Sequence, residues 1–166
     1  LMIFGGASVH GADYPQIQYQ SKTEFLNEAF EGAVPKWRMI KLNSSLKTEI
    51  KQVLNHSYRG GRIRYWWNGL NSLWIFDEIG KELPITIGVY VGDDAVSDIS
   101  VLVYREERGQ EVHQEFFTKQ FNGAFLTGET LLSKEIDGIT GATLSVEAMI
   151  RIAKLALFLH GIVKTK

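Results

Sequence analysis

The chain has 166 residues, 45% of them hydrophobic and 22% charged, with a formal net charge of −1; this suits one globular domain with a buried core and excludes a disordered tail. So balanced a charge offers no basic field to a polyanion, and nucleic acid is not an expected partner. Cysteine is absent, which removes disulfides, thiolate-bound zinc, iron–sulfur clusters and c-type haem, while His10, His56, His113 and His160 lack a paired ligand spacing, so no metal is expected.

The chain opens on Leu1-Met2-Ile3-Phe4 and continues in small residues to Ala12. Residues 1–12 read as the remnant of a secretory signal peptide with a small-x-small cleavage site near Ala7 or Ala12, or as an ordinary segment packed against the domain. No other apolar run approaches the ~20 residues of a membrane span. Further along, Ser21-Lys22-Thr23-Glu24 has capping-box spacing ahead of Phe25, Leu26, Ala29 and Phe30, predicting a short helix that Pro35 closes off. Residues 37–42 read as a strand, and after Ser44 and Ser45 the residues Leu46, Ile50, Val53 and Leu54 fall on one face of a second helix.

Residues 62–67 and 73–76 flank the turn-forming run Asn68-Gly69-Leu70-Asn71, and Gly92-Asp93-Asp94 folds residues 85–91 back onto 96–104. Strands that recur as neighbouring hairpins predict an antiparallel sheet with helices on one side or end, an α+β fold. Residues 113–121 read as a short helix burying Phe116, Phe117 and Phe121. The clearest helix spans 146–160, with Val146, Met149, Ile150, Ala153 and Leu157 along one stripe. Trp66, Trp67, Trp74 and Tyr104 are candidates for stacking, although aromatics on strands are more often core.

Just before that last helix stands Asp137-Gly138-Ile139-Thr140-Gly141-Ala142-Thr143. Its glycines permit a tight turn and close backbone approach to a ligand. The hydroxyls of Thr140, Thr143 and Ser145 stand where the free N–H groups and positive dipole end of the helix favour an anion, which points to phosphate. The plainer alternative is that Thr143 or Ser145 only caps the helix. For Asp137 the local choices are an Asx-type turn or a carboxylate that fixes the loop for recognition.

This run resembles the Asp-x-x-Ser/Thr-Gly-Ala-Thr flavinylation motif of the FMN-binding domain family, found in the NqrC and RnfG subunits of bacterial redox pumps and in soluble periplasmic relatives. The likeness extends in order through residues 85–91, 96–104, 104–109 and 116–121. It implies FMN joined by a phosphoester to Thr143, with Gly141 and Ala142 leaving room for the approach, and a separate flavin transferase that draws the FMN from FAD. It also implies residues 85–166 as a flavin-binding core within a single domain of 13–166, residues 13–84 being an N-terminal elaboration. By the same likeness, Glu106, Glu107, Arg108 and Gly109 replace the turn that lines the flavin ring, Gly109 allowing close approach and Arg108 offering a cation to a reduced ring; locally these residues also read as a solvated charge cluster.

Flavin carries one- and two-electron chemistry itself, so no catalytic residue is expected. The implied role is an electron carrier outside the cytoplasm, periplasmic or otherwise exported or membrane-associated, exchanging electrons with redox proteins such as a cytochrome or a membrane flavoprotein. Two rivals stand beside it: a flavin-dependent reductase of a small molecule, and a noncovalent FMN-binding or sensing module.

Overall fold

The computed structural model describes residues 16–166; the segment read as a signal-peptide remnant, with Ala7, His10 and Ala12, lies outside them. Among the described residues the order is β1 (Ile17–Gln18), α1 (Lys22–Ala29), β2 (Trp37–Lys41), α2 (Ser44–Leu54), β3 (Arg62–Trp67), β4 (Ser72–Ile79), β5 (Pro84–Gly92) and β6 (Ala95–Tyr104). Then come α3 (Glu115–Thr118), set between 3-10 turns at Gln110–His113 and Lys119–Phe121, a small hairpin of β7 (Leu126–Thr127) and β8 (Leu131–Leu132), and α4 (Thr143–Lys164). Six strands form one antiparallel sheet in the order β1-β6-β5-β4-β3-β2. The fold is α+β.

The central hairpin follows from its turn and its pattern. Asp93 and Asp94 both adopt positive φ, 53° and 60°, the geometry whose twist matches the flanking strands. Ile85, Ile87, Val89 and Val91 alternate onto one face and are fully buried there. That face packs on α4, which buries Met149, Ile152, Ala153, Ala156 and Leu159, and on α2 through Ile50, Val53 and Leu54. The boundary near Pro84 falls within this sheet, since β4 pairs with β5 from Ser72↔Val91 to Ile79↔Pro84.

The reading of helices on one side or end needs correction. Helix α1, opened by the expected capping box between Ser21 and Glu24, lies on the opposite face, where Phe25 and Phe30 pack with Leu73 and Leu102. Gly88 makes this possible: a Cβ there would come within 2.4 Å of the Phe25 ring. Residues 113–121 also differ from one continuous helix, being a broken 3-10/α/3-10 segment. It buries Phe117 and Phe121 but leaves Phe116 59% exposed, because so short a turn has only one face against the core. Asn43, rather than a serine, caps α2 through its side chain.

Strands β3 and β4 pair only at Trp66↔Leu73 and Trp67↔Ser72, and beyond those residues no ladder joins them. Near the far end of α4, a buried polar chain crosses the core. The Trp74 Nε1–H donates to Ser72 Oγ at 2.7 Å; the Ser72 hydroxyl then has its own proton to give to His160 Nδ1, 2.7 Å away. This leaves the Nε2–H of His160 facing Asp94 Oδ1 at 3.2 Å, with Lys164 on the other carboxylate oxygen.

Candidate functional site

Helix α4 starts without the usual side-chain cap. Ala142 occupies the cap position with no side chain able to serve it, and Gly141 before it takes φ +81°, a conformation that favours glycine. The Ala142 N–H is used by Ile139 O and the Val146 N–H by Ala142 O. Between them, the N–H groups of Thr143, Leu144 and Ser145 take no protein partner among the described residues. Such groups are the orphan donors of a helix start, carrying its positive dipole end.

The three motif hydroxyls do not share one environment. Thr140 and Thr143 are exposed, and neither makes a hydrogen bond among the described residues. Ser145 is 4% exposed, its Oγ 2.7 Å from the Tyr104 hydroxyl. Tyr104 gives its single proton to the Arg108 carbonyl, so the Ser145 hydroxyl donates to the tyrosine oxygen. The expectation that Thr143 or Ser145 caps the helix therefore fails, one side chain lying in solvent and the other turned into the core. Burial pushes the Tyr104 hydroxyl above its ordinary pKa; the bond from Ser145 opposes this, and the nearby charges of Glu106 and Glu111 add to it. Tyr104 thus remains a donor to the 108 carbonyl at neutral pH.

The segment after β6 is held against this helix start. Gly109, at φ +92°, sits where a Cβ would meet Ser145 Oγ at 2.7 Å and Tyr104 Oη at 2.8 Å. Glu106, read in the sequence as lining the flavin, has its Oε1 occupied by the backbone N–H groups of Lys81, Glu82 and Leu83 at 2.6, 2.7 and 2.9 Å. It therefore organises the β4–β5 turn. Arg105 adds a second tie from β6, donating to Pro84 O and Thr86 Oγ1. Asp137 is anchored through its main chain to the Gln120 side chain, and its carboxylate accepts no hydrogen bond among the described residues, so it forms no Asx turn.

These ties enclose a cleft of about 510 Å³ between Lys81–Leu83, residues 106–108 and residues 141–145. Exposed Arg108 and Lys81 stand at its edge, and neither is ion-paired among the described residues. The structure thus brings Glu106, Arg108, Gly141, Ala142, Thr143 and Ser145 together, with Gly109 behind them as a packing residue; Asp137 and Thr140 lie on the approaching loop, outside the cleft wall. Sequence reasoning missed Lys81, Glu82 and Leu83. Their only local signal is a short turn between two strands, and nothing in it places them beside residue 141. No group of His, Asp and Glu side chains suited to a metal occurs among the described residues, and no helix there is long and apolar enough to cross a membrane.

Free N–H donors, two unpaired cations and a glycine turn with open space beside it form a donor set that fits a phosphate ester. No curated protein matches the chain. Residues 80–157 match the family model of the FMN-binding domain, a stretch that contains every residue lining the cleft.

Proposed function

We propose that Thr143 carries FMN through a phosphoester and that the protein is an electron-transfer flavoprotein acting outside the cytoplasm, in the periplasm. The observation that carries this reading is the division of labour among the hydroxyls. Ser145 is sealed against Tyr104, whereas Thr143 presents an exposed, unbonded hydroxyl on the first residue of α4, beside three free N–H groups. A transferase can reach that oxygen, and the helix start can hold the phosphate once it is attached.

In the attachment step, Thr143 Oγ1 bonds to the FMN phosphorus of FAD as the pyrophosphate bond breaks and AMP leaves; the hydroxyl proton passes to a base on the transferase, since an isolated threonine is a weak nucleophile. Lys81 and Arg108 then supply charge toward the phosphate or ring, and Glu106 holds the 81–83 turn in place. Bound FMN supplies one- and two-electron transfer. A covalent tether suits an exported carrier, because a noncovalent cofactor is lost wherever its free concentration falls below its dissociation constant. The partners proposed are redox proteins such as a cytochrome or a membrane flavoprotein, meeting the site through small, transient contacts.

The test is intact mass after co-expression with a flavin transferase, paired with acid precipitation. The expected result is one FMN increment, with the yellow colour kept in the pellet. Colour released to the supernatant and an unmodified mass would leave only the noncovalent reading.

A further inference from the structure

A larger cavity, about 760 Å³, lies on the other side of the β4–β5 turn. It lies between the end of β4, the loop after α2 and the middle of α4. Leu54, Tyr58, Phe76, Pro84, Ile152 and Leu155 make its walls largely apolar. One ionic group interrupts them. Glu78 is 4% exposed, and its Oε1 receives both His56 Nε2 at 2.7 Å and Arg151 Nε at 3.0 Å.

The second oxygen of Glu78 decides what this cavity can read. Oε2 has no protein partner among the described residues, yet no buried side-chain oxygen is left unpaired there; Oε2 therefore retains its contact with the cavity that Glu78 lines. It is an acceptor without a donor, fixed in direction by the two bonds to its twin. Arg151 uses one N–H on Glu78 and another on Ile79 O at 3.1 Å, which leaves three of its five guanidinium donors unused beside that acceptor. An apolar pocket of this size with a few convergent polar groups is the usual form of a small-molecule site. Once a ligand covers them, an acceptor next to a fixed donor selects a complementary edge, because a ligand lacking it would leave those groups unmatched.

We propose that this cavity binds a flat heterocycle whose edge presents an N–H beside a carbonyl, as the pyrimidine end of an isoalloxazine does, with the N–H on Glu78 and the carbonyl on Arg151. The ring stacks among Tyr58, Phe76 and the α4 side chains. Two sources offer this chemistry: the ring of the FMN proposed at Thr143, or a free heterocycle that exchanges electrons with it. The first is within reach. Thr143 and Arg151 lie on one helix, eight residues and about 12 Å apart along its axis, a span comparable to a ribityl phosphate. Leu144 at the cleft and Ile79 at the cavity are both exposed apolar side chains. The tethered source rests on the Thr143 reading; the cavity does not.

Lumiflavin, which has the ring but neither ribityl chain nor phosphate, separates the two. Thr143→Ala protein, which carries no tether, is expected to quench lumiflavin fluorescence saturably. Glu78→Gln, which puts an amide N–H opposite the ring N–H, is expected to weaken binding at least tenfold. Ser57→Trp, at an exposed mouth position, is expected to do the same while leaving the Glu78 side chain in place, and serves if the Glu78 variant does not fold. In flavinylated protein, refusal of lumiflavin together with a rise in bound-flavin fluorescence on Ser57→Trp identifies the tethered ring as occupant; undiminished lumiflavin binding identifies a free one. Absence of lumiflavin binding to the Thr143→Ala protein, or binding that neither Glu78→Gln nor Ser57→Trp weakens, overturns the proposal, and neither result bears on whether Thr143 is flavinylated.

Discussion

Gly109 and Ser145 are so closely apposed that a single methyl on the glycine would lie 2.7 Å from the serine hydroxyl oxygen. The contact joins the segment after β6 to the first turn of α4, and so joins two of the three segments that wall the cleft. Gly109→Ala would combine left-handed backbone strain with an overpacked contact, and a loss of about 2–4 kcal/mol is expected. Urea denaturation followed by tryptophan fluorescence checks it; an unchanged midpoint would mean that the cleft walls part without cost.

Thr143 and Ser145, two residues apart, are expected to respond oppositely to alanine. Thr143→Ala removes an exposed side chain that makes no cap, so stability should change by no more than ~0.5 kcal/mol, while fluorescence of the denatured band after co-expression with the transferase should vanish. Ser145→Ala removes the donor to a buried tyrosine oxygen, costing about 1 kcal/mol, and the band should stay fluorescent. Loss of fluorescence in the serine variant only would move the attachment point to Ser145.

Glu106 holds three backbone N–H groups with one carboxylate oxygen. Glu106→Ala is expected to cost about 2 kcal/mol, the scale of hydrogen bonds to a charged group, and to speed amide exchange at Lys81, Glu82 and Leu83 while the centre of β5 stays protected. Uniform exchange across both segments would show that the turn is held by other means.

His160 makes the protein sensitive to acid. Burial lowers its pKa below the ordinary imidazole value, an effect that the charge of Asp94 only partly offsets. The unfolded chain therefore takes up the proton first, so the stabilisation is complete above about pH 6.5 and is lost as pH falls from there through the depressed native value. Asp94, held below the usual carboxylate range chiefly by Lys164, stays ionised through that window and contributes only under stronger acid. Urea midpoints at pH 7.5 and 5.5 should therefore differ for the native chain and differ less for His160→Asn.

Much of the fold was legible because it rests on short-range signals. The capping box at Ser21, the turn at Asp93-Asp94 and the apolar periodicity of residues 146–160 each specify their element within a few residues. What escaped depends on partners distant in the chain. The two-residue strands β1 and β7 carry no periodicity of their own. Nothing near Gly88 reveals that Phe25 will lie on it, so the placement of α1 on the second face was unreadable. At the site, the motif marked the helix start correctly, but the fates of its hydroxyls diverge through Tyr104, 41 residues away. Glu106 looked like a ligand contact because a solvated charge cluster and a backbone clamp have the same local sequence.

Helix α4 runs for 22 residues, most of them packed into the sheet, and its first residue is Thr143. Anything bonded to that residue sits on the longest helix among the described residues, which is anchored in the core from Ser145 onward. A carrier of the proposed kind would not swing its cargo outward on a mobile protein arm to meet a distant acceptor. On the proposed reading, redox partners would come to the flavin where α4 holds it, and the packed surroundings would rearrange little as each electron arrives or departs.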